Sequence, residues 1–383
     1  MNEKSVEPVV SIYSFGFSYS TPPEDPHNHG GYVFDCRQLP NPGRQKEFKQ
    51  HSGQDAPVIK YLEECAEVHR FYNLTLELVK SHYENYAARG LGHLMVSYGC
   101  TGGQHRSVYM AERLKHDLTQ AGLNVECIHR ERFRWDVALA KPCKKAFILA
   151  AGLGTRLLPL TKDVPKALVK LGGQTAIDLV SKKLIESGVK EILVNTHYLR
   201  EQVEDHLEKN HLSCRFTTIY EPELLDTGGS LRNTEDFWGD EPFFVHNVDI
   251  ISETDLGSVY RYHMTSKALA TLVVQARSST RYLIVDSTNL VCGIYYSHNG
   301  LIDIRRQPQG PIRYLAFNGI HVVSSEIFGE IEEEGAFSII SLHLRLIEEG
   351  FPISAYTDAN GFCVDIGKPE GLKRAVEWLS QSK

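Results

Sequence analysis

Between Phe147 and Gly173 the chain reads FILAAGLGTRLLPLTKDVPKALVKLGG, and no other stretch constrains the fold as tightly. The apolar run Ala146 to Ala151 is short and is closed by Gly152-Leu153-Gly154, so it reads as a buried strand passing into a glycine turn. Glycines in such a turn let backbone N–H groups approach an anion, because no Cβ intervenes and positive φ costs little. Arg156 follows at once and Lys166 ten residues later, which places two cations beside the turn and points to a polyphosphate ligand. The turn taken alone is a weak signal. It lacks both the lysine-serine ending of a P-loop and the third glycine of a dinucleotide fingerprint.

Downstream, helix and strand patterns alternate: Ile177 to Gly188 as a helix, Glu191 to Asn195 as a strand, Leu199 to Lys209 as a helix, Phe216 to Glu221 and Pro242 to His246 as strands. That alternation predicts an α/β fold whose parallel sheet is covered on both faces and binds ligands at the carboxyl ends of its strands. Asn247-Val248-Asp249 falls at such an end, where a carboxylate beside glycine loops would hold Mg²⁺. Leu225 to Ser230, with Gly228 and Gly229, reads as another glycine turn before a helix. His197 reads as a capping or packing residue.

The first 135 residues read as a separate, smaller α/β domain. Val9 to Phe17 and Tyr32 to Arg37 are predicted strands, Ser20 to Gly31 a loop, Val58 to Ala88 two helices, and Leu94 to Tyr98 and Val125 to His129 two more strands. Gly99 to Ser107 (GCTGGQHRS) repeats the strand, glycine and helix-start pattern, so an anion is expected there, with His105, Arg106 and Ser107 as donors. Cys100 is the one thiol next to such a positive site, which could lower its pKa, although nearby cations do not by themselves make a thiol catalytic. The other seven cysteines are scattered without a CxxC pair, which predicts reduced, buried thiols rather than a metal clip. Residues 136–145 read as a linker and 146–383 as the second domain. Arg130, Arg132 and Arg134 read as a solvated tail before that linker.

Charge and hydropathy narrow the function classes. A net charge of −7 argues against general capture of nucleic acid or anionic membrane. Residues 1–143 carry 16 Lys and Arg against 17 Asp and Glu, which weighs against RNA as their partner. The start, MNEKSVEPVV, has no leader pattern and no apolar run nears the ~20 residues of a spanning helix, so a cytoplasmic protein is expected. A homo-oligomer is left open.

The full string around the first glycine turn resembles the LxxGxGTRLxPLTxxxPKxLxxxxGxP signature of sugar nucleotidyltransferases, with Thr175 in place of the last proline. The later segments Leu225 to Ser230, Asn247 to Asp249, Phe317 to Ile320 and Phe362 to Gly367 match the family's other motifs in order, with Val248 where the family has glycine. The resemblance implies a Rossmann-like nucleotidyltransferase domain (GT-A-like) with a mostly parallel sheet. It further implies that Arg156 and Lys166 are catalytic, and that Leu149, Ala151, Gly152, Gly154, Thr155, Gly228 and Gly229 contact the nucleotide. Asn195, Asp226, Asn318 and Gly319 would contact the sugar, and Asp249 and Asp365 would hold Mg²⁺. The substrates implied are a nucleoside triphosphate, UTP first, and a sugar-1-phosphate, as in N-acetylmuramate-1-phosphate uridylyltransferases and mannose-1-phosphate guanylyltransferases. The strings SFGFSY, VFDCRQLPNP and GCTGGQHRSV resemble the C-terminal domain of the RapZ adapter family, with Gln104 where that family has lysine. That resemblance implies a phosphorylated amino-sugar effector lined by Cys100, Thr101, Gly103, His105 and Arg106. The alternative it leaves is a regulator that retains the transferase fold to sense a sugar nucleotide and binds RNA.

Overall fold

The computed structural model describes residues 8–19, 22–23, 25, 31–136, 142–209, 212–359 and 361–381. The chain divides into two compact units, Met1–Leu139 with Gln309–Pro311 and Ala140–Pro308 with Ile312–Lys383. Among the described residues no helix is long and apolar enough to cross a membrane.

The first unit runs β1 (Val9–Gly16), β2 (Tyr32–Asp35), α1 (Ala56–Glu63), α2 (Ala66–Ala88), β3 (His93–Cys100), α3 (Arg106–Gln120), β4 (Val125–His129) and α4 (Arg132–Trp135). Its sheet has the order β2-β3-β1-β4 with every pair parallel, and the helices supply the crossovers that parallel strands require. Helix α2 buries Val68, Tyr72, Thr75 and Val79, a stripe of helical period facing the sheet. Gly90, at φ +68°, ends it, with its N–H on Ala87 O at 3.2 Å.

Two local expectations are corrected here. The strand expected over Tyr32 to Arg37 stops at Asp35, whose carboxylate accepts from Arg37 N at 2.9 Å and caps a single 3₁₀ turn. The arginines expected as a solvated tail are folded: Arg134 lies 3.9 Å over the Tyr19 ring, Arg132 pairs with Asp136 at 2.7 Å, and Phe133 between them is buried. The Ser20 to Gly31 loop and the centre of the expected linker fall largely outside the described residues.

The second unit runs β5 (Lys145–Leu149), β6 (Lys170–Leu171), β7 (Gln174–Thr175), α5 (Ala176–Glu186), β8 (Glu191–Thr196), α6 (Arg200–Glu208), β9 (Arg215–Tyr220), α7 (Asp226–Arg232), β10 (Phe243–Asn247) and β11 (Ile250–Ser252). It continues through α8 (Leu256–Ser266), β12 (Ala270–Gln275), β13 (Arg281–Val285), β14 (Val291–Tyr296), β15 (Leu301–Ile304), β16 (Arg313–Val323), α9 (Ile339–Glu348), β17 (Ile353–Thr357), β18 (Cys363–Asp365) and α10 (Pro369–Gln381). Strands β9-β8-β5-β10 form a parallel core, and β16 joins β10 antiparallel. Beyond β16 the sheet is mixed: β12, β13, β14 and β15 extend it in antiparallel pairs, while β17 lies parallel to β12. The carboxyl ends of the four parallel strands therefore share one edge, and the loops there carry the predicted site.

Packing around β10 and α9 is aromatic and buried. Trp238 stacks on Phe243 with ring centroids 3.7 Å apart, and both are buried against α9 residues such as Leu342 and Leu346. Each such side chain contributes about 1.5–3 kcal/mol through burial. Four histidines are buried in this unit as well: His246 on β10, His263 on α8, His321 on β16 and His343 on α9. All eight cysteines are free; Cys36, Cys100, Cys143, Cys292 and Cys363 are buried, whereas Cys65, Cys127 and Cys214 are half-buried.

Candidate active site

The glycine loop after β5 is held open from below. Asn195, at the end of β8 and 2% exposed, accepts from Ala150 N at 2.6 Å and Ala151 N at 3.3 Å through its side-chain oxygen. Its amide N donates to Glu221 at 2.9 Å and to the Ser230 hydroxyl at 3.1 Å. Every polar atom of the Asn195 side chain is thus used inside the protein, so it positions the loop, and the residue, for which the family resemblance implied a sugar contact, also lines the smaller cavity beside it. Gly152, Thr155 and Arg156 are exposed, and Gly154 sits at φ +68° with the Thr161 hydroxyl donating to its carbonyl at 2.8 Å.

Four charged groups from distant parts of the chain meet at this edge. Lys166, following Pro165, forms an ion pair with Asp249 at the end of β10, and both side chains are mostly buried. Arg156 reaches Asp365 at 3.9 Å. The two aspartates are brought together by the antiparallel pair β11·β18, in which Ile250 opposes Asp365, and by Ile366 N donating to Asp249 O at 2.9 Å. No sequence spacing reports that pairing, since 116 residues separate the two acids. Two carboxylates converging beside phosphate-directed cations form a hard oxygen donor set that suits a divalent cation.

Gly367 lies at the centre of this cluster. A Cβ there would fall 2.8 Å from each of Arg156 Nη2, Asp365 Oδ1 and Lys166 Nζ. Because two of those atoms are the ends of flexible side chains, Gly367→Ala is expected to fold normally yet push both cations off their positions. Turnover should fall on the order of 10²-fold, the usual consequence of an ångström-scale misplacement. Equal kcat in the variant would show that the cluster is not the reacting centre.

Two cavities flank the cluster and share Asn247 and Asp249 in their walls. The smaller, about 360 Å³, is lined by Leu149, Ala151, Gly152, Lys166, Asp226 and Val248 among others. The larger, about 940 Å³, takes in Arg156, Arg277, Arg281, Phe317, Gly319, Asp365, Lys368 and Arg374. Sequence reasoning missed Arg277, Arg281, Lys368 and Arg374, although Lys368 and Arg374 follow Asp365 within one short stretch and could have been flagged by that clustering. Gly319, at φ +70°, lets β16 pass close to Asn247 and Ile250.

Two further expectations change, and one holds. Gly228 and Gly229 lie within α7, not in a turn before it, and both N–H groups point to Phe337 O, at 2.8 and 3.2 Å. A Cβ on either would collide with Phe337 or with Gly335 O at 2.4 and 2.3 Å, so these glycines serve close packing and leave no donor for a nucleotide. Asn318 is fully buried and accepts from Arg277 Nε at 3.0 Å, which makes it a support for Arg277. His197 Nδ1 donates to Glu221 O at 2.7 Å, in keeping with the packing role expected of it.

In the first unit the predicted ligand residues do gather at the carboxyl end of β3, but their side chains turn inward. Arg106, 4% exposed, donates to Arg37 O and Leu39 O at 2.9 Å each and to the Thr101 hydroxyl at 3.3 Å. His105 meets Phe48 O at 2.9 Å, and burial holds its pKa below the ordinary histidine value, so it is neutral. Cys100 is buried with its sulfur 3.1 Å from the Ser107 hydroxyl, which removes the exposure an activated thiol requires. Gly103, at φ +67°, packs against Glu131 and Gly16. Thr101 remains exposed.

Comparison with known proteins agrees with this geometry. Residues 145–382 match the family model described as Nucleotidyl transferase. The chain belongs to that family. Residues 8–132 match the RapZ C-terminal domain. The second unit is similar to N-acetylmuramate alpha-1-phosphate uridylyltransferase of Caulobacter vibrioides, 30% identical over 248 residues, covering 62% of this chain and 98% of that protein. The first unit is similar to a nucleotide-binding protein of Acinetobacter baumannii, 38% identical over 127 residues, covering 33% of this chain and 43% of that protein, so this chain spans less than half of that relative's length. Two solved structures share the fold: HddC from Yersinia pseudotuberculosis (TM-score 0.51, 23% identity, 62% of this chain and 99% of that one) and a putative glucose-1-phosphate thymidylyltransferase from Bacillus anthracis (0.53, 20%, 62% and 95%). The chain is therefore a nucleotidyltransferase, and enzymes of this family use a divalent metal ion.

Proposed function

We propose that the second unit transfers a nucleotidyl group from UTP to the 1-phosphate of an N-acetylmuramate-type amino sugar, with Mg²⁺, releasing pyrophosphate in cell-wall sugar recycling. The observation that carries this reading is the convergence of Arg156, Lys166, Asp249 and Asp365 where two cavities meet. The smaller cavity suits the nucleotide and the larger one the sugar phosphate. A sugar-1-phosphate oxygen is already anionic at neutral pH, so its in-line attack on the α-phosphorus needs no general base, and positioning with charge neutralisation carries the step. Lys166 meets the charge growing on the α-phosphate. Arg156, at the exposed rim, holds the departing pyrophosphate. Asp249 and Asp365 would hold the divalent ion, which when bound supplies Lewis-acid polarisation and a template for the two phosphates.

The acidic amino sugar is favoured over a neutral hexose by charge. Arg277, Arg281, Lys368 and Arg374 line the larger cavity and none takes part in an ion pair among the described residues. Arg277 is also fixed in place, by Asn318 at 3.0 Å and Phe317 O at 2.8 Å, so it is preorganised for an anion beyond the phosphate itself. Pyrophosphate release with UTP, GTP, dTTP and CTP against N-acetylmuramate-1-phosphate, N-acetylglucosamine-1-phosphate and mannose-1-phosphate tests the reading. Arg277→Gln is expected to raise KM for the muramate substrate about 10-fold or more, as loss of a charge-assisted hydrogen bond would, with kcat little changed and the neutral sugars less affected. Turnover confined to mannose-1-phosphate and GTP would replace the reading with the guanylyltransferase one. For the first unit we propose a phosphorylated amino sugar at the exposed Thr101 end of its glycine loop, where α3 begins. Running the same assay with and without glucosamine-6-phosphate tests whether that unit modulates turnover.

A further inference from the structure

The cysteines carry no sequence pattern of a metal clip, yet the fold of the first unit builds one from strand periodicity. Cys127 and His129 are two residues apart on the edge strand β4, so both side chains leave the same face, toward α3. Glu112 comes down from α3 to meet them. The sulfur of Cys127, a ring nitrogen of His129 and a carboxylate oxygen of Glu112 all lie within 4.8 Å of one another. We propose that Cys127, His129 and Glu112 bind a divalent transition-metal ion, zinc in first place, at a site distinct from the two aspartates of the active-site cleft.

The chemistry of the donors selects the ion. One soft thiolate, one imidazole and one carboxylate match the mixed S, N and O preference of zinc, and exclude Mg²⁺ and Ca²⁺, which take oxygen. Bonds of about 2.0–2.3 Å in a tetrahedron place ligand atoms about 3.5 Å apart, so small side-chain rotations close the set. His129 is already oriented for the task. Its Nδ1 is 2.8 Å from the hydroxyl of Ser14, a fully buried residue, which fixes the ring and leaves Nε2 facing Glu112 Oε1 at 2.8 Å. A ligating histidine held through its other nitrogen is the usual arrangement at metal sites.

Three polar groups crowd that point. The Gln54 amide N lies 2.9 Å from Glu112 Oε1 and 3.2 Å from His129 Nε2, while those two atoms also face each other. With a proton on His129 Nε2, that nitrogen and the amide both donate to Oε1; with Nε2 bare, as a metal ligand must be, it and the carboxylate meet acceptor to acceptor, which a cation between them would satisfy. A half-turn of the amide presents its carbonyl and makes the set S, N, O and O, four ligands for one cation. Glu112 Oε2 is turned to Lys115 at 3.4 Å, while Oε1 is the oxygen that faces His129 Nε2 and would bind the ion. The ion would clamp β4 to α3 beside the glycine loop, where the Trp135 ring is 6.0 Å from that of His129 and its Nε1 donates to Gly103 O at 3.2 Å.

The test uses the intact chain titrated with Co²⁺. A thiolate-to-cobalt charge-transfer band saturating at one equivalent is expected, lost in Cys127→Ser and kept in Cys363→Ser, whose sulfur lines the cleft. In competition with a chromophoric chelator, Glu112→Gln and His129→Gln should each weaken zinc binding at least 10-fold, and Ser14→Ala, a positioning residue, about 10-fold. Should Cys127→Ser not fold, Glu112→Gln on the half-exposed helix surface carries the test through zinc affinity and a band that saturates only at higher Co²⁺. No band with the intact chain, a band that survives in Cys127→Ser, or unchanged zinc affinity in Glu112→Gln overturns the proposal.

Discussion

Asp249→Asn is expected to lower kcat on the order of 10³-fold, measured as pyrophosphate release with the preferred substrate pair. The size follows from where Asp249 sits. It belongs to the walls of both cavities, it holds the Lys166 ammonium, and its backbone carbonyl is tied to Ile366 beside Asp365. Asparagine keeps the shape but removes the charge that retains a divalent ion and that sets Lys166 against the α-phosphate. More metal should then be needed for half-maximal rate. Asp365→Asn should act in the same direction, and the double variant should be little worse than either single one, because groups that hold the same ion fail together and not independently. An Asp249→Asn chain with kcat within a few-fold of the parent would remove this cluster from the chemistry.

How far such a site can be read from sequence depends on whether its residues act through side-chain type or through tertiary pairing. The loop from Gly152 to Arg156 is weak evidence alone, and it was legible because Arg156 and Lys166 put two cations beside a glycine turn within a longer matching string. Lys166 and Asp249 were legible as a cation near the glycine turn and a carboxylate at a strand end, and the family resemblance gave them roles, whereas the β11·β18 pairing that makes Asp365 a neighbour of Asp249 leaves no local pattern. Asn195 and Asn318 carry ligand-like side chains, yet each is consumed inside the fold, one by the loop it supports and one by Arg277. Arg106 and His105 misled for a related reason: the nearby backbone carbonyls of Arg37, Leu39 and Phe48 claim them before any ligand could. Gly228 and Gly229 show that a glycine pair before a helix cannot be told, by residue type, from a pair placed for close packing. The parallel core was foreseeable from alternation, whereas the antiparallel extension through β12 to β16 has short strands whose partners sequence does not name.

Acidification from pH 7.5 to 5 is expected to destabilise the second unit by several kcal/mol, before most carboxylates titrate. Burial holds His246 and His263 at pKa values of about 4, His343 at about 3, and His321 well below the ordinary 6.5. His321 is pushed further by His343 and His246, and His246 by Lys183, since each would face a like charge if protonated. Both ring nitrogens of His321 and of His343 lack a hydrogen-bond partner, so neither imidazolium would find an acceptor. A depressed folded pKa means that the unfolded chain binds more protons below about 6.5. Stability is therefore complete above that pH and falls as pH drops toward the folded values. Each histidine then removes on the order of 2 kcal/mol by pH 5, against a typical total of about 5–15 kcal/mol for a domain. Urea midpoints measured across this range should fall steeply, and His343→Leu, which removes one of the four groups, should flatten the slope by about one proton. A midpoint that stays level between pH 7 and 5 would mean these histidines are solvated or paired in solution, and the close burial of the imidazoles around β10, β16 and α9 would have to be abandoned.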